Sequence, residues 1–144
     1  FLSVTKEGNS AIFSTSGNPY CHVILRGGSN KINYDSKSID DVSARLDKAN
    51  LPQQIIVDCS HANSMKDHKK QMLVVEDLCT QLCAGEKRIK GLMIESNLVE
   101  GNQNINDANL IYGKSVTDAC IGWEDTEKAL YSLSEAVKQR KINA

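Results

Sequence analysis

The feature that most constrains this chain is a recurrence. Three short apolar runs, Cys21-His22-Val23-Ile24-Leu25, Ile55-Ile56-Val57-Asp58-Cys59 and Gly91-Leu92-Met93-Ile94, are each followed at once, or within two residues, by a chemically capable side chain: Arg26, His61 and Glu95. The separations are 35 and 34 residues, the length of one strand-helix unit. Continuous runs rich in β-branched residues read as strands buried on both faces. Ligands of parallel α/β sheets and barrels bind at the carboxyl ends of the strands. The recurrence therefore predicts three polar groups converging at one end of one sheet.

Helical patterns lie between the runs. From Ser38, the residues Ile39, Val42, Leu46 and Ala49 recur at helical spacing, with Ser38 as N-cap, Asp41 three positions on, and Pro52 beyond the end. A second helix is predicted from about Lys66 to Ala84, with Met72, Val75, Cys79 and Leu82 on one stripe and Gly85 to stop it. A third begins near Asp125 or Thr126, turns Ala129, Leu130, Leu133, Ala136 and Val137 inward, and ends in Lys138, Arg140 and Lys141, where cations suit the helix dipole. Alternating strands and helices predict an α/β fold with a parallel sheet. The N-terminus departs from this pattern. Phe1 to Thr5 and Ala11 to Ser16, joined through Gly8-Asn9-Ser10 and followed by Gly17-Asn18-Pro19, predict an antiparallel hairpin over residues 1–20 that decorates the βα units and closing helix of residues 21–144. No shift in composition divides the chain, which reads as one structural unit.

Charge narrows the partners. Among 144 residues, 17 basic against 18 acidic side chains leave a net charge of −1, which argues against a nucleic-acid or anionic-membrane partner. No apolar run reaches the roughly 18 residues of a membrane span, and the first residues lack the regions of a signal peptide, so a soluble cytoplasmic protein is expected. Five cysteines, Cys21, Cys59, Cys79, Cys83 and Cys120, are odd in number and sit in periodic apolar segments, which predicts reduced thiols rather than a disulfide framework. Position 1 is Phe rather than Met and already reads as strand, so the chain is expected to be a piece of a longer one.

The chemistry follows from the convergence. A His and a Glu brought together can hold a divalent ion, and Asp118, in the polar segment Tyr112 to Cys120, can add a further oxygen. Mixed nitrogen and oxygen donors suit Mn, Fe, Co or Zn. Arg26 beside Gly27 and Gly28 makes an anion site, because a guanidinium binds phosphate or carboxylate bidentately and glycines let a ligand approach the backbone. The competing reading is structural: Arg26 opening a glycine loop, His61 capping a helix, Glu95 a solvated strand end. Asp58 either orients a ligand or satisfies backbone groups. The stretch from Gly101 to Asn109 is either a lid or a connector. Cys79 and Cys83 read as packed thiols, His22 and His68 as structural, and Cys120 either as packed or as close enough to a metal to matter on oxidation.

Four segments carry a resemblance: Leu25-Arg26-Gly27-Gly28, Asp58-Cys59-Ser60-His61-Ala62-Asn63-Ser64, Ile94 through Gln103, and Ser115 through Glu124. In these the chain closely resembles class I DAHP synthase (3-deoxy-D-arabino-heptulosonate-7-phosphate synthase, also called phospho-2-dehydro-3-deoxyheptonate aldolase), over nearly all of its length and over the C-terminal part of that family's chain. The resemblance implies a (β/α)8 TIM barrel of which this chain holds about the last three core strands. It also implies the first step of the shikimate pathway, in which phosphoenolpyruvate C3 attacks the aldehyde of erythrose 4-phosphate, water adds at C2 and phosphate leaves. By resemblance, His61, Glu95 and Asp118 are metal ligands, His61 and Asp118 are catalytic, and Arg26 holds phosphoenolpyruvate. Phe1, Ser3 and Phe13 align with positions lining an aromatic amino-acid inhibitor pocket, with Ser3 resembling the phenylalanine-sensitive type. The family assembles as dimers or tetramers, and its cysteine ligand and further basic residues lie upstream. Two readings stay open: a metal-dependent transferase of which this is the C-terminal part, and a non-catalytic fragment that keeps only metal, phosphate or amino-acid binding.

Overall fold

A computed structural model describes residues 1–29 and 31–142. The chain is mixed α/β. Three parallel strands, β3 (Val23–Leu25), β4 (Ile55–Asp58) and β5 (Ile89–Met93), form one sheet in chain order, after the antiparallel hairpin of β1 (Leu2–Val4) and β2 (Ser10–Ile12). Helix α1 (Ser36–Lys48) connects β3 to β4, and α2 (Gln71–Cys83) connects β4 to β5. A small ribbon, β6 (Val99–Asn102) against β7 (Lys114–Ser115), follows, and α3 (Trp123–Ile142) closes the chain.

The register explains the core. Leu25 pairs with Val57 and Val57 with Leu92, and this row packs with Ile39 and Leu46 of α1, Val74, Val75, Leu78 and Leu82 of α2, and Ala129 and Ala136 of α3. Alternation along a strand sends the next row, Ile24 and Ile56 with Gly91, to the opposite face. There Ile24 and, further along, Met93 are 45% and 44% exposed. The expected burial on both faces therefore holds only for β4, because among the described residues the helices cover one side of the sheet.

Element ends differ from the sequence reading for identifiable reasons. Asp35, not Ser38, caps α1: its carboxylate accepts the Ser38 N–H at 3.1 Å and the Ser38 hydroxyl at 2.7 Å, and the serine hydroxyl holds that carboxyl below its ordinary range. Helix α2 starts at Gln71 rather than Lys66. Met65 and Lys66 have φ of 55° and 59°, outside helical space, and Asp67 caps a short 3-10 turn over His68–Lys70. Gly85, with φ of 101°, ends α2 as expected, its own N–H on Leu82 O and the Glu86 N–H on Gln81 O. In α3, Leu130 is 57% exposed, not inward. The buried stripe is Ala129, Leu133 and Ala136, and Leu130 lies about 100° around the helix from it.

The first four strands are shorter than predicted, β1 spanning Leu2–Val4 and β4 ending at Asp58, and β5 begins earlier. β2 ends at Ile12 instead of Ser16, β3 begins at Val23 instead of Cys21, and β5 starts at Ile89 instead of Gly91. Of the stretch from Gly101 to Asn109, the first two residues belong to β6 and the rest is a loop tied at its base. The Gln103 side chain donates to Ile111 O and Lys114 O, both at 2.8 Å, and accepts the Ile111 N–H at 2.8 Å. Among the described residues no helix is long and apolar enough to cross a membrane.

Gly27 shows how tightly the end of β3 is packed. Its φ is 77°, and a Cβ there would meet Ala62 Cβ at 2.7 Å and Asn63 N at 2.9 Å. Both the left-handed conformation and the clash oppose any side chain. Replacing Gly27 with Ala is expected to lower unfolding free energy by about 2–4 kcal/mol. Urea unfolding of the variant in the full-length protein checks this, and an unchanged midpoint would contradict the packing.

Candidate functional site

The site is assembled where the three parallel strands stop. Such an end leaves backbone carbonyls without ladder partners, and two buried amides supply them. Asn63, 3% exposed, donates through Nδ2 to Leu25 O at 3.1 Å and to Asp58 O at 2.8 Å, while its Oδ1 accepts the Asn33 N–H at 2.9 Å. This joins the last residue of β3 to the last of β4. Gln71, with no exposed surface, donates to Glu95 O at 3.0 Å and accepts the Glu95 N–H at 2.8 Å. The first residue of α2 thus pins Glu95 beyond β5. Ile121 extends the row, its N–H on Glu95 O at 3.0 Å, which carries Asp118 alongside.

On this frame Arg26, His61, Glu95 and Asp118 border one cavity of about 270 Å³, together with Lys66 and His68. His61 has a φ of 53°, a conformation uncommon outside glycine and concentrated at functional positions. Its Nδ1 lies 2.9 Å from Asp58 Oδ2 and 2.6 Å from the Ser60 hydroxyl. Its Nε2 faces Glu95 Oε1 at 3.6 Å. The ligating atoms of His61, Glu95 and Asp118 all lie within 4.8 Å of one another. Bonds of about 2.0–2.2 Å to a single ion reach such a set after a small rotation of the carboxylates. The donors therefore fit a divalent transition metal. Arg26 keeps its side chain 64% exposed, with Nε 4.0 Å from Asp58 Oδ2, so the guanidinium is accessible to an anion.

Four of the predicted residues thus meet, and three stand apart. Phe1, Ser3 and Phe13 belong to the N-terminal hairpin, where the rings of Phe1 and Phe13 stack with centroids 5.8 Å apart. None of them borders the cavity. His22 is exposed and away from it. His68, expected to be merely structural, accompanies Lys69 in bonding Glu100, at 2.8 and 3.1 Å, and hydrogen bonds from these two side chains hold the Glu100 carboxyl below its ordinary range.

Sequence reasoning passed over Asn63 and Gln71 as site-building residues. Asn63 stands inside the segment around His61, and a polar residue opening an apolar helix was the available signal for Gln71.

The DAHP synthetase I family matches residues 3–131. The chain belongs to the DAHP synthetase I family. It is 57% identical over 142 residues to the "Phospho-2-dehydro-3-deoxyheptonate aldolase, Phe-sensitive" of Escherichia coli (strain K12), covering 98% of this chain and 40% of that protein. A phospho-2-dehydro-3-deoxyheptonate aldolase of Haemophilus influenzae is 52% identical over 142 residues, covering 98% of this chain and 39% of its own. A solved phospho-2-dehydro-3-deoxyheptonate aldolase from Francisella tularensis SCHU S4 superposes with a TM-score of 0.86 at 51% identity, over 97% of this chain and 41% of that one. The chain spans about 40% of the length of the curated relatives it matches.

The two thiols beside the site, Cys59 and Cys120, are not poised as nucleophiles. Burial pushes the Cys59 thiol up to about 12, with the Asp58 carboxylate and Cys79 adding to it. Cys120, whose Sγ lies 3.6 Å from Asp118 O, is raised by burial and by the charges of Glu95 and Asp118, against a hydrogen bond to Ser115. Since the thiolate is the reactive form, a thiol-specific disulfide reagent at pH 8 is expected to label exposed Cys21 well before Cys59 in the folded protein. Mass mapping of labelled peptides checks the order.

Proposed function

We propose that the whole protein containing this chain condenses phosphoenolpyruvate with erythrose 4-phosphate and water to give 3-deoxy-D-arabino-heptulosonate 7-phosphate and phosphate, the first step of the shikimate pathway. The observation that carries this is the convergence of Arg26, His61, Glu95 and Asp118 on one cavity at the carboxyl ends of parallel strands, in a member of this family. In this reading the three-stranded sheet is an arc of a (β/α)8 barrel, its last three core strands. Residues 1–20 are a hairpin decoration, and residues 21–144 supply βα units and the closing helix. The exposed Ile24 and Met93 then occupy interior barrel positions that upstream strands cover.

His61, Glu95 and Asp118 would hold the divalent metal, a donor set that suits Mn, Fe, Co or Zn. When bound, the ion supplies Lewis-acid polarisation of an aldehyde oxygen. Arg26 takes the phosphate of phosphoenolpyruvate through parallel N–H donors and fixes its orientation. His61 and Asp118, which border the cavity beside Arg26, are the catalytic residues in this reading. The cavity's two cations, Arg26 and Lys66, offset the charge of phosphorylated substrates.

The names of relatives extend the reading to control. One curated relative is called Phe-sensitive and another, 48% identical over 149 residues, from Saccharomyces cerevisiae, phenylalanine-inhibited. We place an aromatic amino-acid effector, phenylalanine in particular, at Phe1, Ser3 and Phe13 on the hairpin, in an enzyme assembled as a homodimer or homotetramer and working in the cytoplasm.

Two experiments on the full-length protein test these assignments. Arg26→Ala is expected to raise the KM for phosphoenolpyruvate by about 10- to 100-fold, as loss of a charge-assisted contact does, with metal content intact. His61→Ala is expected to lose metal, read by elemental analysis. Unchanged KM in the first and normal metal content in the second would refute the roles. For the effector, calorimetric titration is expected to show phenylalanine binding more tightly than tyrosine, and the reverse order would refute the phenylalanine assignment.

A further inference from the structure

Asp58 is a carboxylate at the site that neither the metal nor the substrate assignment uses. It is 3% exposed, and an ionised carboxylate so deeply placed persists only when fully partnered. Its two oxygens divide the partners. Oδ1 accepts the Ser60 N–H at 2.9 Å and the Ser60 hydroxyl at 2.7 Å. Oδ2 faces His61 Nδ1 at 2.9 Å and Arg26 Nε at 4.0 Å.

The Ser60 hydroxyl also lies 2.6 Å from His61 Nδ1. It has one proton, and donating that proton to Oδ1 makes it an acceptor toward the ring. Both neighbours of Nδ1 then accept, so Nδ1 carries a ring proton, and a ring that ligates a metal in this setting does so through the Nε2 lone pair. Nε2 is the atom turned toward Glu95. The opposite tautomer would place a lone pair against a buried carboxylate oxygen and a proton where the donor atoms gather.

We infer that Asp58 is a positioning residue that joins the two binding functions of the site, one carboxylate oxygen fixing the metal-facing nitrogen of His61 and restraining the anion-binding guanidinium of Arg26. This rests on the assignment of His61 to the metal and Arg26 to phosphoenolpyruvate. A purely structural Asp58, serving only the Ser60 backbone, would affect folding without touching either affinity. A carboxylate shared by both acts on each.

The test uses the full-length protein and Asp58→Asn, which keeps the volume and removes the charge. Zinc affinity, measured by competition with a chromogenic chelator, is expected to fall by about 10- to 100-fold, the usual effect of losing the partner of a ligating imidazole. At saturating zinc, the Kd for phosphoenolpyruvate is expected to rise by about 2- to 5-fold, as loss of a partly exposed ion pair does. Ser60→Ala, which retains the carboxylate, is expected to leave phosphoenolpyruvate binding unchanged. Wild-type values of either constant in Asp58→Asn overturn the inference.

A measurement on the unsubstituted protein covers the case in which Asp58→Asn does not fold. Long-range proton–nitrogen NMR of the zinc-loaded protein is expected to show His61 protonated at Nδ1 and metal-shifted at Nε2, and the reverse assignment overturns the inference. Arg26→Ala and His61→Ala separate the two levels of argument. If they change phosphoenolpyruvate and zinc binding respectively while Asp58→Asn changes neither, the site assignments stand and the coupling falls. If they change nothing, the assignments fail and the coupling falls with them.

Discussion

The buried amide of Asn63 is the constraint on which the site depends. Parallel strands end with carbonyls that no neighbouring strand can satisfy, and at the end of a sheet these groups would otherwise meet water or remain unpaired. One side chain bonds Leu25 O, Asp58 O and the Asn33 N–H. Each such bond contributes about 0.5–1.5 kcal/mol net, and leaving a buried partner unsatisfied costs about 1–3 kcal/mol. Arg26 directly follows Leu25, and His61 stands three residues after Asp58, so this amide and the β3–β4 pairing together hold the two side chains at one end of the sheet.

Gln71 does the same work one strand along, tying the backbone of Glu95 to the first turn of α2. The two amides are buried while the charged groups border the cavity. This separation lets Arg26 and the metal-binding set stay partly open to ligand although their backbone is held fast. The polar groups that remain buried are few and mostly paired. Asp58 has four neighbouring donors, and the thiol of Cys59 beneath it stays neutral because burial and that carboxylate both oppose its ionisation.

The one-sided covering of the sheet follows from the same geometry. Helices α1, α2 and α3 pack on the row of Leu25, Val57 and Leu92, while the row of Ile24 and the side chain of Met93 face away. Apolar side chains in such a position are suited to a further layer or to the inside of a closed barrel. The chain spans about 40% of the length of the relatives it matches.

Much of this was legible in the residues. The repeated apolar runs, each ending in Arg26, His61 or Glu95, specify strands by β-branched content and place their following side chains at one end by the direction of parallel connections. The antiparallel hairpin and the stop at Gly85 follow from glycine and turn chemistry. Helix starts were less legible. Asp35 competes with Ser38 as a cap at nearly the same position, and the left-handed backbone at Met65 and Lys66 leaves no mark in side-chain periodicity. Asn63 and Gln71 were hidden for another reason, since a polar residue announces nothing about burial until its partners are known. Local preference and pattern, which act over a few residues, thus determined the strands, helices and identity of the reactive groups. Tertiary structure alone decided which backbone ends meet, and so how His61, Glu95, Asp118 and Arg26 face one another, because those contacts join residues far apart in the chain.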